Sequence, residues 1–142
     1  MTRQYFQSLE SAKAGEAFAS ASLLAKLSFN DQGLIPVVTQ QVDTGKVLML
    51  AWMNREAIDQ TLTTGMMTYW SRSRQAFWIK GESSGNYQQL KEMRIDCDGD
   101  ALLCLVDQRG PACHTGRSNC FYFSAVPGSD RICVIESAPE ID

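Results

Sequence analysis

The hydrophobic pattern changes character near residue 33. Residues 7–15 and 20–27 are rich in Ala, Ser and Leu at helix-compatible spacing, and Asn30-Asp31-Gln32-Gly33 punctuates their end. The pattern predicts a helical N-terminal extension over residues 1–32 ahead of a main domain over 33–142. The β-branched run 34–42 is broken at Asp43-Thr44-Gly45 and followed by an apolar run over 46–52, which predicts a hairpin. Asn54 is placed to cap a helix ending at Thr64, with Ala57, Ile58 and Leu62 on one face and Gly65 as its stop. Further strands are predicted over 67–71, 93–98, 101–107, 120–126 and 131–135, and the stretch 71–86 reads as a polar loop. Strands outnumber helices and follow one another closely. The expected fold is α+β, a β-rich, mostly antiparallel sheet core with one or two packed helices. No repeat or Pro/Ser-rich linker marks a further boundary.

Composition narrows the classes of function. A chain of 142 residues with 44% hydrophobic side chains can bury a core of its own. With 13 basic and 16 acidic side chains, it offers no broad basic face for a nucleic-acid backbone. No apolar run approaches the roughly 18 residues of a membrane span, and the first residues lack the apolar core of a signal peptide, so a cytoplasmic protein is expected. Five cysteines, an odd number without a secretion signal, favour thiol chemistry or metal binding over a disulfide framework. The one histidine, His114, stands among them.

Three clusters carry candidate chemistry. In Asp96-Cys97-Asp98-Gly99-Asp100, an extended backbone would place the three aspartates on one side and Cys97 on the other. Carboxylates so close repel unless a cation holds them, and hard oxygen ligands suit Mg²⁺, whereas a thiolate suits a softer ion. An EF-hand is excluded in pattern, because Ala101 and Asp107 stand where its Gly and Glu belong; a solvated acidic turn stays open. The second cluster is Gly110-Pro111-Ala112-Cys113-His114-Thr115-Gly116 with Cys120. Cys97, Cys113 and Cys120 make three possible thiolate ligands, the number a catalytic zinc site uses while keeping a fourth position for water. Plain burial of these thiols also stays open. Neighbouring side chains diverge, so His114 fits an acid/base role beside a metal better than ligation alongside Cys113. Cys104 and Cys133 lie within apolar runs and read as buried, inert thiols. The third cluster, Ser71-Arg72-Ser73-Arg74 with Trp78, Lys80, Ser84, Gly85 and Asn86, offers cations and turn N–H groups to a phosphate and an indole to a base. An ordinary turn is the alternative.

Taken in order, Trp52-Met53-Asn54, Ser71-Arg72-Ser73-Arg74, Trp78-x-Lys80-Gly81-Glu82-x-Ser84-Gly85-Asn86, Asp96-Cys97-Asp98-x-Asp100 and the Gly110 to Cys120 string closely resemble the phosphoribosyl-AMP cyclohydrolase family over residues 33 to 124. The resemblance implies hydrolytic opening of the adenine ring of 1-(5-phosphoribosyl)-AMP between N1 and C6, a step of histidine biosynthesis. It also implies a homodimer with shared sites, in which Zn²⁺ is held by Cys97 of one subunit and Cys113 and Cys120 of the other. Mg²⁺ is implied at Asp96, Asp98 and Asp100. A zinc-bound hydroxide is the implied nucleophile, with His114 as the expected acid/base group. Arg72, Arg74, Trp78, Lys80, Ser84, Gly85 and Asn86 become expected substrate contacts. Many family members continue into a phosphoribosyl-ATP pyrophosphohydrolase domain; with fewer than twenty residues after Ala125, that step is expected on another polypeptide.

Three rivals share some of these features. A zinc nucleobase deaminase would need H-x-E and P-C-x-x-C, which are missing. A cysteine hydrolase built on Cys113 and His114 would need sequence neighbours to meet as nucleophile and base. A non-catalytic module, with zinc only clamping a dimer, would bind without turnover.

Overall fold

The computed structural model describes residues 2–140. Its helices are α1 (Thr2–Ser8), α2 (Ser20–Leu24) and α3 (Arg55–Thr64). Its strands are β1 (Ile35–Gln41), β2 (Val47–Met53), β3 (Thr68–Ser71), β4 (Ala76–Ile79), β5 (Gln88–Ile95), β6 (Leu102–Gln108), β7 (Phe123–Ala125) and β8 (Ile132–Val134). The fold is thus β-rich with few helices. Four strands form a mixed sheet in the order β2-β1-β6-β5, and β3-β4 and β7-β8 form separate two-stranded antiparallel sheets.

Most pairings are antiparallel, as closely spaced strands favour, but the central one is not. β1 and β6 run parallel, from Val37 opposite Leu102 to Gln41 opposite Val106. Such a pair needs a long crossover, and here everything from β2 through β5 lies between the two strands. Ile35, Val37 and Thr39 of β1 and Leu102, Cys104 and Val106 of β6 are buried at alternate positions, giving one inward face. Among the described residues no helix is long and apolar enough to cross a membrane.

Local chemistry explains α3. The Asn54 side chain accepts from the Ala57 N–H at 2.8 Å, and Gly65 donates back to the Thr61 carbonyl at 2.8 Å. The buried stripe is Ala57, Ile58 and Thr61, not Leu62, which is 45% exposed. One residue turns a helix by about 100°, enough to carry Leu62 off that face. Thr61 is tolerated inside because its hydroxyl receives the Thr68 N–H at 2.9 Å and points at the Thr68 carbonyl, starting β3.

Several boundaries depart from the sequence expectations. α1 ends at Ser8, so residues 9–15 continue as turns and irregular chain rather than as the predicted helix. The N-terminal segment contributes Phe6, Leu24 and Leu27 to the core, and the Ser28 N–H reaches the Gly99 carbonyl at 2.8 Å. A Cβ on Gly99 would strike the Phe6 ring, so only glycine allows that packing. β4 lies in what reads as a polar loop. Its hairpin turn carries the left-handed residue on Gln75 (φ 51°) instead of glycine, so no glycine marks that bend. β5 begins at Gln88, and residues 96–99 form a turn in which the Gly99 N–H closes on the Asp96 carbonyl at 3.1 Å. The strand-based sorting of three aspartates and Cys97 onto opposite faces therefore does not apply. β7 starts at Phe123, leaving Cys120 in a loop.

Ile58→Ala should cost about 2–5 kcal/mol and Asn54→Ala about 1 kcal/mol, read from urea unfolding as a lower midpoint at unchanged slope.

Candidate functional site

The β5–β6 ladder runs from Gln88 opposite Gln108 to Ile95 opposite Leu102. Residues 80–86, before β5, and 111–116, after β6, line a cavity of about 410 Å³ at the Gln88–Gln108 end. Arg74, Trp78, Lys80, Cys113 and His114 face it.

The loop carrying the thiols has its own ties. The Cys113 N–H donates to the Arg117 carbonyl at 3.1 Å, the Ala112 N–H to the Ser118 carbonyl at 3.4 Å, and the Cys120 N–H to the Leu48 carbonyl on β2 at 2.8 Å. Cys113 and Cys120 are free thiols close enough for each to shift the other's ionisation. Burial opposes ionisation of Cys113. Hydrogen bonds from the Thr115 hydroxyl, at 3.1 Å, from the Thr115 backbone and from Cys120, with the nearby Arg117 charge, outweigh it and hold the thiol below its ordinary value. Cys120 is exposed as a residue, yet the protein around its sulfur and the neighbouring Cys113 push it up to about 11, partly offset by Lys80. The Lys80 ammonium, largely buried, is lowered by desolvation against the pull of Cys120 and Cys113. One thiolate is favoured and the second waits for a cation to replace its proton, which suits a soft metal ion.

Among the described residues no three His, Cys, Asp or Glu side chains come together to hold a metal. Cys97 is exposed on the turn at the opposite end of the ladder, seven residue steps from Gln88 to Ile95 along β5, a span of roughly 23 Å at about 3.3 Å per residue. In that turn Asp96 Oδ1 receives the Asp100 N–H at 2.9 Å. Slight burial opposes ionisation of Asp96, but the hydrogen bonds from Asp100, Ala101 and Asp98 leave it below its ordinary value. Asp100 is pushed up by its hydrogen bond to Asp96 and by the charges of Asp96 and Asp98. Clustered acidic oxygens that raise one another's cost of ionisation are a place where a hard cation can bind.

The candidate phosphate contacts divide. Arg74 and Lys80 line the cavity, as do Ser84 and Asn86, while Gly85 closes a turn onto the Gly81 carbonyl at 2.8 Å. Arg72 is elsewhere: its guanidinium stacks 4.7 Å from the Trp52 ring and lines a separate hollow with Trp70. Trp78 leans on Tyr69 with centroids 5.3 Å apart and lines the cavity. Cys104 is buried and its thiol pushed up to about 12, fitting the inert reading, but Cys133 is exposed on β8, because that short strand covers no core.

Two supports of the thiol loop, Glu136 and Thr115, were not among the expected site residues. Glu136 Oε2 and Oε1 accept from the Ser118 N–H at 2.7 Å and hydroxyl at 2.6 Å, and Arg117 Nε donates to the Glu136 carbonyl at 2.6 Å. The segment after β8 thereby straps the thiol loop. Nothing singles out Glu136 in an acidic stretch 18 residues away from its partner. Thr115 had a signal, since a hydroxyl two residues beyond a cysteine is within local hydrogen-bond reach.

Comparison with known proteins agrees with the motifs. The phosphoribosyl-AMP cyclohydrolase family model matches residues 49–122. A phosphoribosyl-AMP cyclohydrolase of Alkalilimnicola ehrlichii is 56% identical over 137 residues, 96% of this chain and 94% of the relative. One from Chromohalobacter salexigens is 55% identical over 98% of this chain and 93% of its own length. The phosphoribosyl-AMP cyclohydrolase 2 of Pseudomonas fluorescens is 60% identical over 87% and 84%.

The Glu136 strap generates a pH dependence. Hydrogen bonds from the Ser118 hydroxyl and N–H hold its carboxyl below the ordinary glutamate value. A depressed acid stabilises the fold above its unfolded pKa, and that contribution is lost as pH falls through the lower folded value. Glu136→Gln should lower the thermal midpoint at pH 7, and the difference should shrink as the pH falls into the acid range where the folded carboxylate takes up its proton. An equal difference throughout would show that the carboxylate charge is not what holds the strap.

Proposed function

The chain belongs to the phosphoribosyl-AMP cyclohydrolase family and is an enzyme of histidine biosynthesis, and we propose that it opens the adenine ring of phosphoribosyl-AMP between N1 and C6 with zinc as cofactor. One observation carries the reading: two free thiols close enough to shift each other's ionisation, with Cys113 on the wall of a cavity of nucleotide-binding size beside His114 and Lys80, and Cys120 next to it.

Cys113 and Cys120 would hold the metal together with Cys97 of the partner subunit. Two features support a shared site: the separation of Cys97 from the pair within one chain, and the exposure of Phe123, Ile132 and Val134 on β7 and β8, an apolar patch of the kind that marks protein interfaces. Asp96, Asp98 and Asp100 would hold Mg²⁺. When bound, zinc supplies Lewis acidity that brings the pKa of a coordinated water from about 15.7 towards neutrality, less far with thiolate ligands than with imidazoles. His114, exposed at the cavity wall, accepts the proton of the attacking water or delivers one to N1 as the C6–N1 bond breaks, so that ring opening releases no ammonia. Arg74 and Lys80 meet the 5′-phosphates, and Trp78 offers its indole to the base.

Turnover followed by the ultraviolet change of ring opening should be lost on chelation and restored by Zn²⁺. His114→Ala should lower kcat by about 10²- to 10⁴-fold while retaining zinc. Cys97→Ser and Cys113→Ser proteins, each inactive, should regain activity on mixing, because a hybrid dimer holds one complete ligand set. A folded, zinc-loaded protein without turnover would favour the zinc-clamped binding module.

A further inference from the structure

A buried hydrogen-bond chain runs from the core to the cavity and takes no part in the chemistry assigned above. The Thr39 hydroxyl meets the Tyr69 hydroxyl at 2.7 Å, Tyr69 donates to Gln88 Oε1, and Gln88 Nε2 donates to Gln108 Oε1 at 2.8 Å. Thr39, Tyr69 and Gln88 are fully buried. Gln108 Nε2 then divides its two protons between the main-chain carbonyls of Asn86, at 3.2 Å, and Arg109, at 2.9 Å. Reversing the Gln108 amide would aim its oxygen at two carbonyls and its nitrogen at a donor, so the network admits one orientation.

Those two carbonyls belong to opposite walls of the cavity. Asn86 ends the wall of residues 80–86, and Arg109 leads into the wall that begins at Pro111 and continues to His114. The walls touch closely, since a Cβ on Gly110 would strike the Asn86 side chain. We propose that Gln108 is a positioning residue that clamps the two walls at the width the substrate requires. This rests on reading the cavity as the phosphoribosyl-AMP site. Gln108 reaches neither thiol, and the bonds from Cys113 to Arg117, Ala112 to Ser118 and Cys120 to Leu48 persist without it. The Arg109 N–H also reaches the Tyr87 carbonyl at 2.9 Å, so loss of Gln108 loosens the Asn86 wall without freeing it and leaves the zinc ligands in place.

The test compares the wild-type protein with Gln108→Leu, which deletes every side-chain bond, and Gln108→Glu, which can accept from Gln88 but cannot donate to the carbonyls. Both should raise KM for phosphoribosyl-AMP by about 10- to 100-fold with a much smaller fall in kcat and unchanged zinc content. Amide hydrogen exchange should quicken in residues 82–87 and 109–112 and stay unchanged in β1 and β2. Folded variants with wild-type KM and wild-type exchange overturn the proposal, and so does loss of kcat and zinc together at constant KM. A zinc-loaded wild type without turnover overturns the functional reading instead, and the exchange data then decide the clamp alone.

Discussion

Val37 to Gln41 pair in parallel with Leu102 to Val106, and because β6 then runs the same way as β1, both strands leave the sheet at one end. The loop after β6 emerges beside the start of β2, where the Cys120 N–H finds the Leu48 carbonyl. The turn before β6 is delivered to the other end, with Asp96, Cys97, Asp98 and Asp100 on it. An antiparallel β6 would exchange those positions. Both the thiol pair at the cavity and the separation of the third thiol from it follow from this one pairing.

Electrostatics at the thiol pair depends on that placement. A second thiolate beside Cys113 would be repelled, and Lys80, largely buried next to the pair, offsets part of that charge. Thr115 and Arg117 favour ionisation of Cys113 over Cys120, so the two sulfurs differ in readiness although they are only seven residues apart in one loop. The strap formed by Glu136 on Ser118 keeps the loop closed around both.

Polar groups inside the fold are all accounted for, with no buried side-chain nitrogen or oxygen left unpartnered among the described residues. Thr61 ties α3 to β3, and Gln88 with Tyr69 joins β3 to β5 and β6. Buried groups of this kind are costly unless every partner is present, so each link fixes the relative position of two elements as well as their packing.

Features governed by neighbours along the chain were legible in the sequence. The cap at Asn54, the stop at Gly65, the hairpin of β1 and β2 and the family motifs around Cys97, Cys113 and His114 depend on residues a few positions apart. Where a local signal was missing or ambiguous the reading failed. Gln75 takes a left-handed bend without glycine and hides β4, and Thr61 displaces Leu62 from the inner face because a hydroxyl was needed at β3. What only the tertiary structure decided is non-local: the parallel pairing of β1 with β6, the removal of Arg72 to Trp52, the strap from Glu136 and the clamp through Gln108. Residue type and spacing determine which atoms can bind a metal or a phosphate. Which of those atoms meet depends on how strands far apart in the chain align, and the hydrogen bonds that select that alignment exist only once the fold has formed.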